Sequence, residues 1–205
     1  MDLNENFTES VQFTRPPKGP YHHFPKMEDS ERLTYEILNA DNFIKLFEMF
    51  HQDDFPFVDI RFKSLESARQ YTEESTQSRF FAKYGSCDFL IKLKESEICI
   101  GILHLYDYSL ETYSDVPERC TIGFSIAAPY RKNYYATEAV QHLIAYANQH
   151  HNKTRFLSYT HTENTAANAF LLSLNMKLKN EDYIYGGGKY NYYLLEIPKM
   201  DNKSV

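Results

Sequence analysis

The sequence has no tryptophan, only three cysteines and only seven glycines among its 205 residues. The cysteines, Cys87, Cys99 and Cys120, are odd in number and match no zinc spacing, so reduced thiols in the cytoplasm are the simplest interpretation. No apolar run approaches the roughly 18 residues that a membrane-spanning helix needs. The opening residues, MDLNENFTESVQ, are acidic and polar, unlike a secretory signal. We therefore expect a cytoplasmic protein that makes no use of a membrane.

The sequence also lacks an excess of positive charge. It has 22 Lys and Arg against 28 Asp and Glu, for a net charge of -6. A nucleic-acid partner is disfavoured, because binding to phosphates depends on cations that displace counterions. A basic acceptor molecule would instead be attracted. Hydrophobic residues make up 42% and aromatic residues 16%, which indicates a folded core.

Residues 1–28 are predicted to be a polar N-terminal arm, and residues 29–205 a single domain. The arm contains RPPKGPYHHFPK, whose prolines and glycine disfavour regular structure. His22 and His23 could bind a metal, but no carboxylate or cysteine partner lies at a suitable spacing. An exposed extended segment is therefore favoured, and we expect no metal site.

Apolar periodicity predicts a strand, two helices, three strands, a helix, a strand, a helix and a closing hairpin. Asp41 and Ser64 are the expected N-caps of the first two helices. The final run, YNYYLLEI, could pack in the core or form a homodimer contact, and core is the default. This order indicates a mixed α/β layer structure. The strands are expected in RLTYEIL, CDFLIKL, EICIGILHLYDY, RCTIGFSIA, TRFLSYTHT and DYIYGGGKYNYYLLEI, and the helices in ADNFIKLFEMF, SLESARQYTEES, the segment from about Thr137, and NTAANAFLLSLN.

The segment PYRKNYYATEAVQHLIAYA joins a strand to a helix through a short basic loop. A helix N-terminus presents unpaired amides and a partial positive charge, which together bind anions, and Arg131 and Lys132 add two full charges. An ordinary connection with a solvated basic pair explains this segment equally well. Asn164 also follows a strand and opens a helix, so it either caps that helix or reaches a ligand.

Four segments taken in order resemble the GNAT superfamily of acetyl-CoA-dependent N-acetyltransferases. They are RLTYEILNADN, IGILHL, IGFSIAAPYRKNYYATEA and ENTAANAFLLSLNM, and the resemblance covers roughly residues 31–197. It is strongest to the ribosomal-protein N-terminal acetyltransferases of the RimJ and RimL type. The resemblance implies an α/β GNAT fold. Its central twisted sheet is mostly antiparallel, contains one splayed parallel strand pair, and is flanked by helices.

The resemblance also implies where acetyl-CoA binds. The cofactor would lie between the splayed strands, and its pantetheine arm would run along the backbone of Phe124, Ser125 and Ile126. Asn164 would reach it from the following helix, and the acceptor amine would attack the thioester directly. The diphosphate would lie on the loop amides of Arg131, Lys132, Asn133, Tyr134, Tyr135, Ala136 and Thr137.

The sequence departs from the family pattern at several positions. The two loop glycines of the family are replaced by Lys132 and Tyr134, and a glutamate often present before the IGF segment is replaced by Thr121. Glu118 is a weak substitute as the catalytic base, and an ordinary surface carboxylate is the favoured interpretation. The usual proton donors to the leaving thiolate are replaced by Ala167 and Leu171.

Other groups could line an acceptor pocket, although each is expected to be structural or solvent-facing; they are His104, Asp107, Tyr159 and His161. The segment GGGK, Gly186 to Lys189, is expected to be a hairpin turn rather than a phosphate loop.

Two functions remain open from the sequence, and the first is favoured because direct attack on a thioester demands little of the side chains. The first is an acetyltransferase whose acceptor is a small amine, a peptide or a protein N-terminus. The second is a degenerate module that binds CoA or a protein partner without turnover.

Overall fold

A computed structural model describes residues 26–75, 87–106, 118–185 and 188–199. Its element order is the predicted one. The predicted arm up to residue 25, with His22 and His23, lies outside the described residues, as does Asp107. The strands are β1 Leu33–Ile37, β2 Cys87–Leu93, β3 Cys99–Tyr106, β4 Arg119–Ile126, β5 Arg155–His161, β6 Lys177–Tyr185 and β7 Gly188–Glu196; the helices are α1 Ile44–Phe50, α2 Leu65–Glu73, α3 Tyr135–His151 and α4 Thr165–Ser173.

The strands form one seven-stranded sheet in the order β1-β2-β3-β4-β5-β7-β6. All neighbours are antiparallel except β4 and β5, which are parallel. Their pairing runs only from Arg119↔Arg155 to Thr121↔Leu157, although both strands continue beyond it. The predicted fold class, with one parallel pair that opens at one end, is confirmed.

Helices cover both faces of the sheet, because each sheet face and one stripe of each helix are apolar. On one face, α3 buries Val140, Leu143 and Ala147 in a cluster that includes Leu103 and Ile122 of the sheet. The other cluster contains Phe50 of α1, Tyr71 of α2 and Ile102 of β3. The β4–β5 opening is therefore held between two packed layers.

One of the two predicted helix caps is confirmed. The Ser64 hydroxyl accepts a hydrogen bond from the Ser67 amide at 3.1 Å and caps α2. The Asp41 cap is wrong, because α1 begins at Ile44 and its N-cap position is Phe43, which makes no side-chain cap. Asn42 instead closes the preceding turn, where its side chain accepts from the Asn39 amide at 2.7 Å.

The closing hairpin forms one end of the sheet. Strand β7 lies between β5 and β6, and Tyr193 and Leu194 are buried, which confirms the core interpretation of that run. Tyr185 pairs with Gly188, as expected for a hairpin, while Gly186 and Gly187 lie outside the described residues. Strand β6 is an edge strand that carries exposed Lys177, Lys179 and Glu181.

The packed part of the chain begins inside the segment predicted as an arm. Met27 is only 1% exposed and belongs to the core. The Glu28 carbonyl accepts a hydrogen bond from His142 Nε2 of α3 at 2.7 Å. Residues 27 and 28 thus dock on α3.

Three further observations apply to the described residues. None of their helices is both long enough and apolar enough to span a membrane. No three of their His, Cys, Asp or Glu side chains converge as metal ligands. All three cysteines carry free thiols.

Candidate functional site

The opening between β4 and β5 exposes one backbone edge of β4. The Ala127 amide donates to the Ile100 carbonyl at 2.9 Å, and Ser125 is opposite Ile102. Because hydrogen-bonded pairs alternate along an antiparallel ladder, the backbone of Ser125 is directed to β3 and that of Phe124 to the β5 side. Of the three residues predicted to bind pantetheine, Phe124 therefore presents its amide and carbonyl to the opening.

The loop after β4 keeps the backbone shape of a glycine-containing loop without glycine. Lys132 and Tyr134 both have φ of 62°, in the left-handed region that glycine occupies without strain. These are the two positions where the family pattern has glycine. Tyr134 is 78% exposed, so its ring does not fill the opening. The sequence therefore retains the loop conformation at a cost of roughly 1–2 kcal/mol for each non-glycine residue.

The loop and the first turn of α3 present a continuous row of amide donors. No backbone amide from Lys132 to Thr137 donates a hydrogen bond to an acceptor in the described parts of the chain. The first helical bond joins the Glu138 amide to the Tyr134 carbonyl at 3.1 Å. Such a row at the positive end of a 17-residue helix suits a diphosphate. The residues present thus fit the cofactor that the sequence implied.

Side chains hold the loop in this shape. The Asn133 side chain donates to the carbonyls of Tyr130 at 3.3 Å and Arg131 at 3.0 Å. Arg32, which immediately precedes β1, donates to the Asn133 carbonyl at 3.2 Å. Its Nε is 2.7 Å from the Glu138 carboxylate. Loop carbonyls are therefore engaged by side chains, which leaves the amides to face an anion.

Arg131 is used differently from the sequence expectation. Its Nε donates to the Ile126 carbonyl at 2.9 Å, and its guanidinium contacts the carboxylate of buried Asp53. It also lies 4.7 Å from the ring centre of Phe55. The side chain thus ties the segment after α1 to the end of β4, and Lys132 supplies the exposed charge of the predicted pair.

Asn164 caps the helix that follows it, which is one of the two interpretations offered by the sequence. Its Oδ1 accepts from the Ala167 amide at 3.1 Å and caps α4. Its Nδ2 makes no hydrogen bond to any described residue, so a donor remains. The cap fixes the direction of that donor.

The predicted acidic candidate lies at the closed end of the strand pair. The Glu118 carbonyl accepts from the amides of Thr154 at 3.0 Å and Arg155 at 3.1 Å, and its side chain is exposed. At about 3.3 Å per residue, Glu118 precedes the point where pairing ends by about 10 Å. This position favours the interpretation of an ordinary surface carboxylate.

The open end of β5 is lined by aromatic rings. The His161 ring lies 5.3 Å from that of Phe57, in the loop between α1 and α2, and 5.5 Å from that of Tyr190. Tyr159 stacks on Tyr192 at 5.1 Å. Tyr159 and His161 therefore contribute to a rim at the open end of β5.

A buried polar cluster on the sheet was not found as a unit from the sequence. Asp88, only 2% exposed, accepts from the Tyr71 hydroxyl at 2.6 Å and lies 2.7 Å from His104 Nδ1. Burial raises the pKa values of Tyr71 and Tyr106 well above the ordinary value. The members come from α2, β2 and β3, and no local spacing in the sequence connects them.

Comparisons with known proteins agree with this geometry. A family model described as an acetyltransferase (GNAT) domain matches residues 28–177. Comparison with curated protein sequences finds no match. A candidate ribosomal-protein-serine acetyltransferase from Vibrio cholerae superposes with a TM-score of 0.66 at 17% identity, over 84% of this chain and 99% of that one.

Two ligand-bound structures are also similar. RimL, the ribosomal L7/L12 alpha-N-protein acetyltransferase in complex with CoA, gives a TM-score of 0.63 at 15% identity, over 83% of this chain and 97% of that one. The microcin C7 self-immunity acetyltransferase MccE, in complex with acetyl-CoA and AMP, gives 0.64 at 16% identity, over 82% and 93%. With the family match across most of its length, the chain belongs to the GNAT acetyltransferase family.

Proposed function

We propose that the protein is an N-acetyltransferase that moves the acetyl group of acetyl-CoA to a primary amine. The observation that carries this proposal is the row of amides from Lys132 to Thr137, which donate to no described residue and lie at the open end of the β4–β5 pair. When bound, acetyl-CoA would supply an activated thioester. The protein supplies positioning and electrostatic stabilisation, which are sufficient for large rate effects in acyl transfer.

Each part of the site has a separate role in this proposal. The amides of Arg131 to Thr137 hold the diphosphate, although the Arg131 amide already makes a 3.4 Å bond to the Ala128 carbonyl and contributes less. The Phe124 edge binds the pantetheine arm in the manner of an added strand, and Ser125 and Ile126 continue the same strand beyond that contact. The Asn164 Nδ2 donates to the cofactor from the opposite wall.

The acceptor is proposed to be a small amine, a peptide or a protein N-terminus. Structurally similar proteins include acetyltransferases of amines, among them a spermidine N-acetyltransferase chimera and the L7/L12 alpha-N-protein enzyme. The net charge of -6 favours a cationic acceptor. Three free thiols agree with a reducing, cytoplasmic location.

The binding step can be tested by removing one amide from the row. Proline at Ala136, the second residue of α3, deletes one N–H at a position where helices tolerate proline. A charge-assisted hydrogen bond contributes about 1.5–3 kcal/mol, so we expect roughly 10- to 100-fold weaker CoA binding by calorimetry. Acetyl-pantetheine, which lacks the diphosphate, should bind equally to both proteins.

A matched control is Glu66→Pro, at the second residue of α2 on the other face of the sheet. It should leave CoA affinity unchanged, and thermal melts of both variants will show that they fold. Unchanged CoA affinity in Ala136→Pro would refute the proposed diphosphate site.

Turnover is tested by measuring CoA release by chromatography with three acceptors: spermidine and peptides that begin with serine or alanine. Release with any of them supports the transferase. Binding of acetyl-CoA without release from any acceptor would favour the binding-only module, and no binding of CoA at millimolar concentration would refute both.

A further inference from the structure

The imidazole of His104 lies across β3, between β2 and β4. Its Nδ1 is 2.7 Å from Asp88 Oδ1 on β2. On the other side, the ring faces Gly123 of β4. A Cβ atom added to Gly123 would lie 3.1 Å from His104 Cδ2, nearer than to any other surrounding atom. Because Cδ2 is bonded to Nε2, the Nε2 end of the ring is directed to β4.

The surrounding hydrogen bonds fix which nitrogen carries the proton. Asp88 accepts from the Tyr71 hydroxyl through Oδ2 and from Nδ1–H of His104 through Oδ1. A carboxylate bound to Nδ1–H leaves the Nε2 lone pair available, as in the dyads that activate nucleophiles. No described residue binds Nε2, and the side chain is 15% exposed. The ring is therefore oriented through Nδ1, while Nε2 remains accessible.

The available nitrogen lies where the two parallel strands separate. Gly123 is two residues beyond Thr121, the last residue of β4 that pairs with β5. Residues two apart on a strand share a face, so His104 and Thr121 border the same space. Thr121 occupies the position of the glutamate that is frequent in the family and cannot itself accept a proton.

We propose that His104 is the general base that deprotonates the acceptor amine, with Asp88 as its positioning residue. This role rests on the proposed transferase function. Where the family frequently has a glutamate on β4, this protein would use an imidazole on β3.

The proton balance of the step is as follows. The acceptor arrives as an ammonium and gives one proton to Nε2, which converts His104 to the imidazolium. The amine nitrogen forms a bond to the thioester carbonyl carbon, and the carbon–sulfur bond breaks. The second proton lost from nitrogen passes to the CoA thiolate, and the imidazolium releases its proton to water. The products are the acetamide, CoA with a free thiol, and one proton.

The charged and titratable groups around His104 are few among the described residues. Asp88 and Tyr71 contact it, Tyr106 stacks on it at 5.6 Å, and Asp59 is near enough for a charge interaction. Asp59 is itself paired with Arg61 at 2.5 Å. Burial keeps the pKa values of Tyr71 and Tyr106 well above the ordinary value, so both stay neutral in ordinary assays.

The first test compares His104→Gln with His142→Gln. Positioned general bases contribute typically 10²–10⁴-fold, so kcat for the best acceptor should fall by about that factor in His104→Gln. The dissociation constant for CoA should stay within about twofold, because the diphosphate site is separate. His142, which stacks on Tyr35 on the other face, should tolerate glutamine without loss of kcat.

The pH profile separates a base from a structural histidine. A general base acts only in its unprotonated form, so any acidic limb in the wild-type profile of kcat/KM for the amine should vanish in His104→Gln. Asp88→Asn should lower kcat while CoA affinity is retained, because an amide cannot hold the same tautomer as firmly.

A second readout does not depend on turnover. In ¹⁵N-histidine NMR spectra of the full chain without ligand, the neutral form of His104 should be the Nδ1–H tautomer, and Asp88→Asn should weaken that preference. A wild type that turns over while His104→Gln retains its kcat would overturn the base role alone. An Nε2–H tautomer would also overturn it. No CoA release by the wild type with any amine would remove the transferase proposal, and the base role with it.

Discussion

Replacing Lys132 by glycine is expected to stabilise the protein, although the change removes a whole side chain. Lys132 has φ of 62°, and its side chain is exposed, so little packing is lost. A non-glycine residue in this region costs roughly 1–2 kcal/mol in the folded state. Glycine also makes the unfolded chain more flexible, which offsets about 0.4–1 kcal/mol. The net gain should be about 0.5–1 kcal/mol.

The assay is urea unfolding of the wild type, Lys132→Gly and Lys132→Ala. Alanine removes the same exposed side chain but keeps the strained backbone, so its stability should stay within about 0.5 kcal/mol of the wild type. The difference between the two variants isolates the backbone contribution. For a chain of this size, about 1 kcal/mol raises the melting temperature by about 2–4 °C.

The same comparison of glycine with alanine can be made at Tyr134, because that residue has the same φ and is also exposed. The two gains need not add, since the residues share one loop. If glycine at either position proves no more stable than alanine, the left-handed conformation assigned to this loop is wrong. The explanation of why relatives carry glycine there would fail as well.

Two further predictions concern groups around the site and the helix that follows it. Arg131→Met should cost about 1.5–3 kcal/mol in urea unfolding, because the buried Asp53 carboxylate loses a charged hydrogen-bond donor. CoA affinity measured by calorimetry should change little. A selective loss of CoA affinity with normal stability would contradict this. Burial, with His150 and Lys153 nearby, lowers the pKa of His151 from 6.5 to about 4, so the folded state resists protonation. The free energy of unfolding should therefore fall as pH drops from about 6.5 towards 4, and His151→Gln should flatten that decline; an unchanged pH dependence would contradict the assignment.

Much of the fold could be predicted because its signals are local. Strand β2 was predicted with its observed bounds, and Ser64 caps α2 as expected, since both depend on neighbouring residues. The failure at Asp41 is also local in origin. Both Asp41 and Asn42 can cap a helix, but the Asn42 side chain bonds to the Asn39 amide and the Ile37 carbonyl, and the helix starts later.

For the candidate site, the sequence could predict backbone features but not side-chain contacts. The loop was identified from the order of its residues, because amide donors depend on chain path rather than on side-chain type. The roles of side chains were harder to predict, because their partners lie far away along the chain. The charge of Arg131 is engaged by Asp53, which is 78 residues away along the chain. His104 was named as a pocket residue, but its link to Asp88 and Tyr71 depends on strand register and helix packing.

The outer edge of the sheet has a consequence for self-association. Strand β6 ends the sheet and displays Lys177, Lys179 and Glu181 to solvent, and charged side chains on an edge discourage another chain from adding a strand. Two copies brought together at this edge would have to desolvate these charged side chains. Association by strand addition at β6 is therefore disfavoured, and this end of the sheet should remain open to solvent.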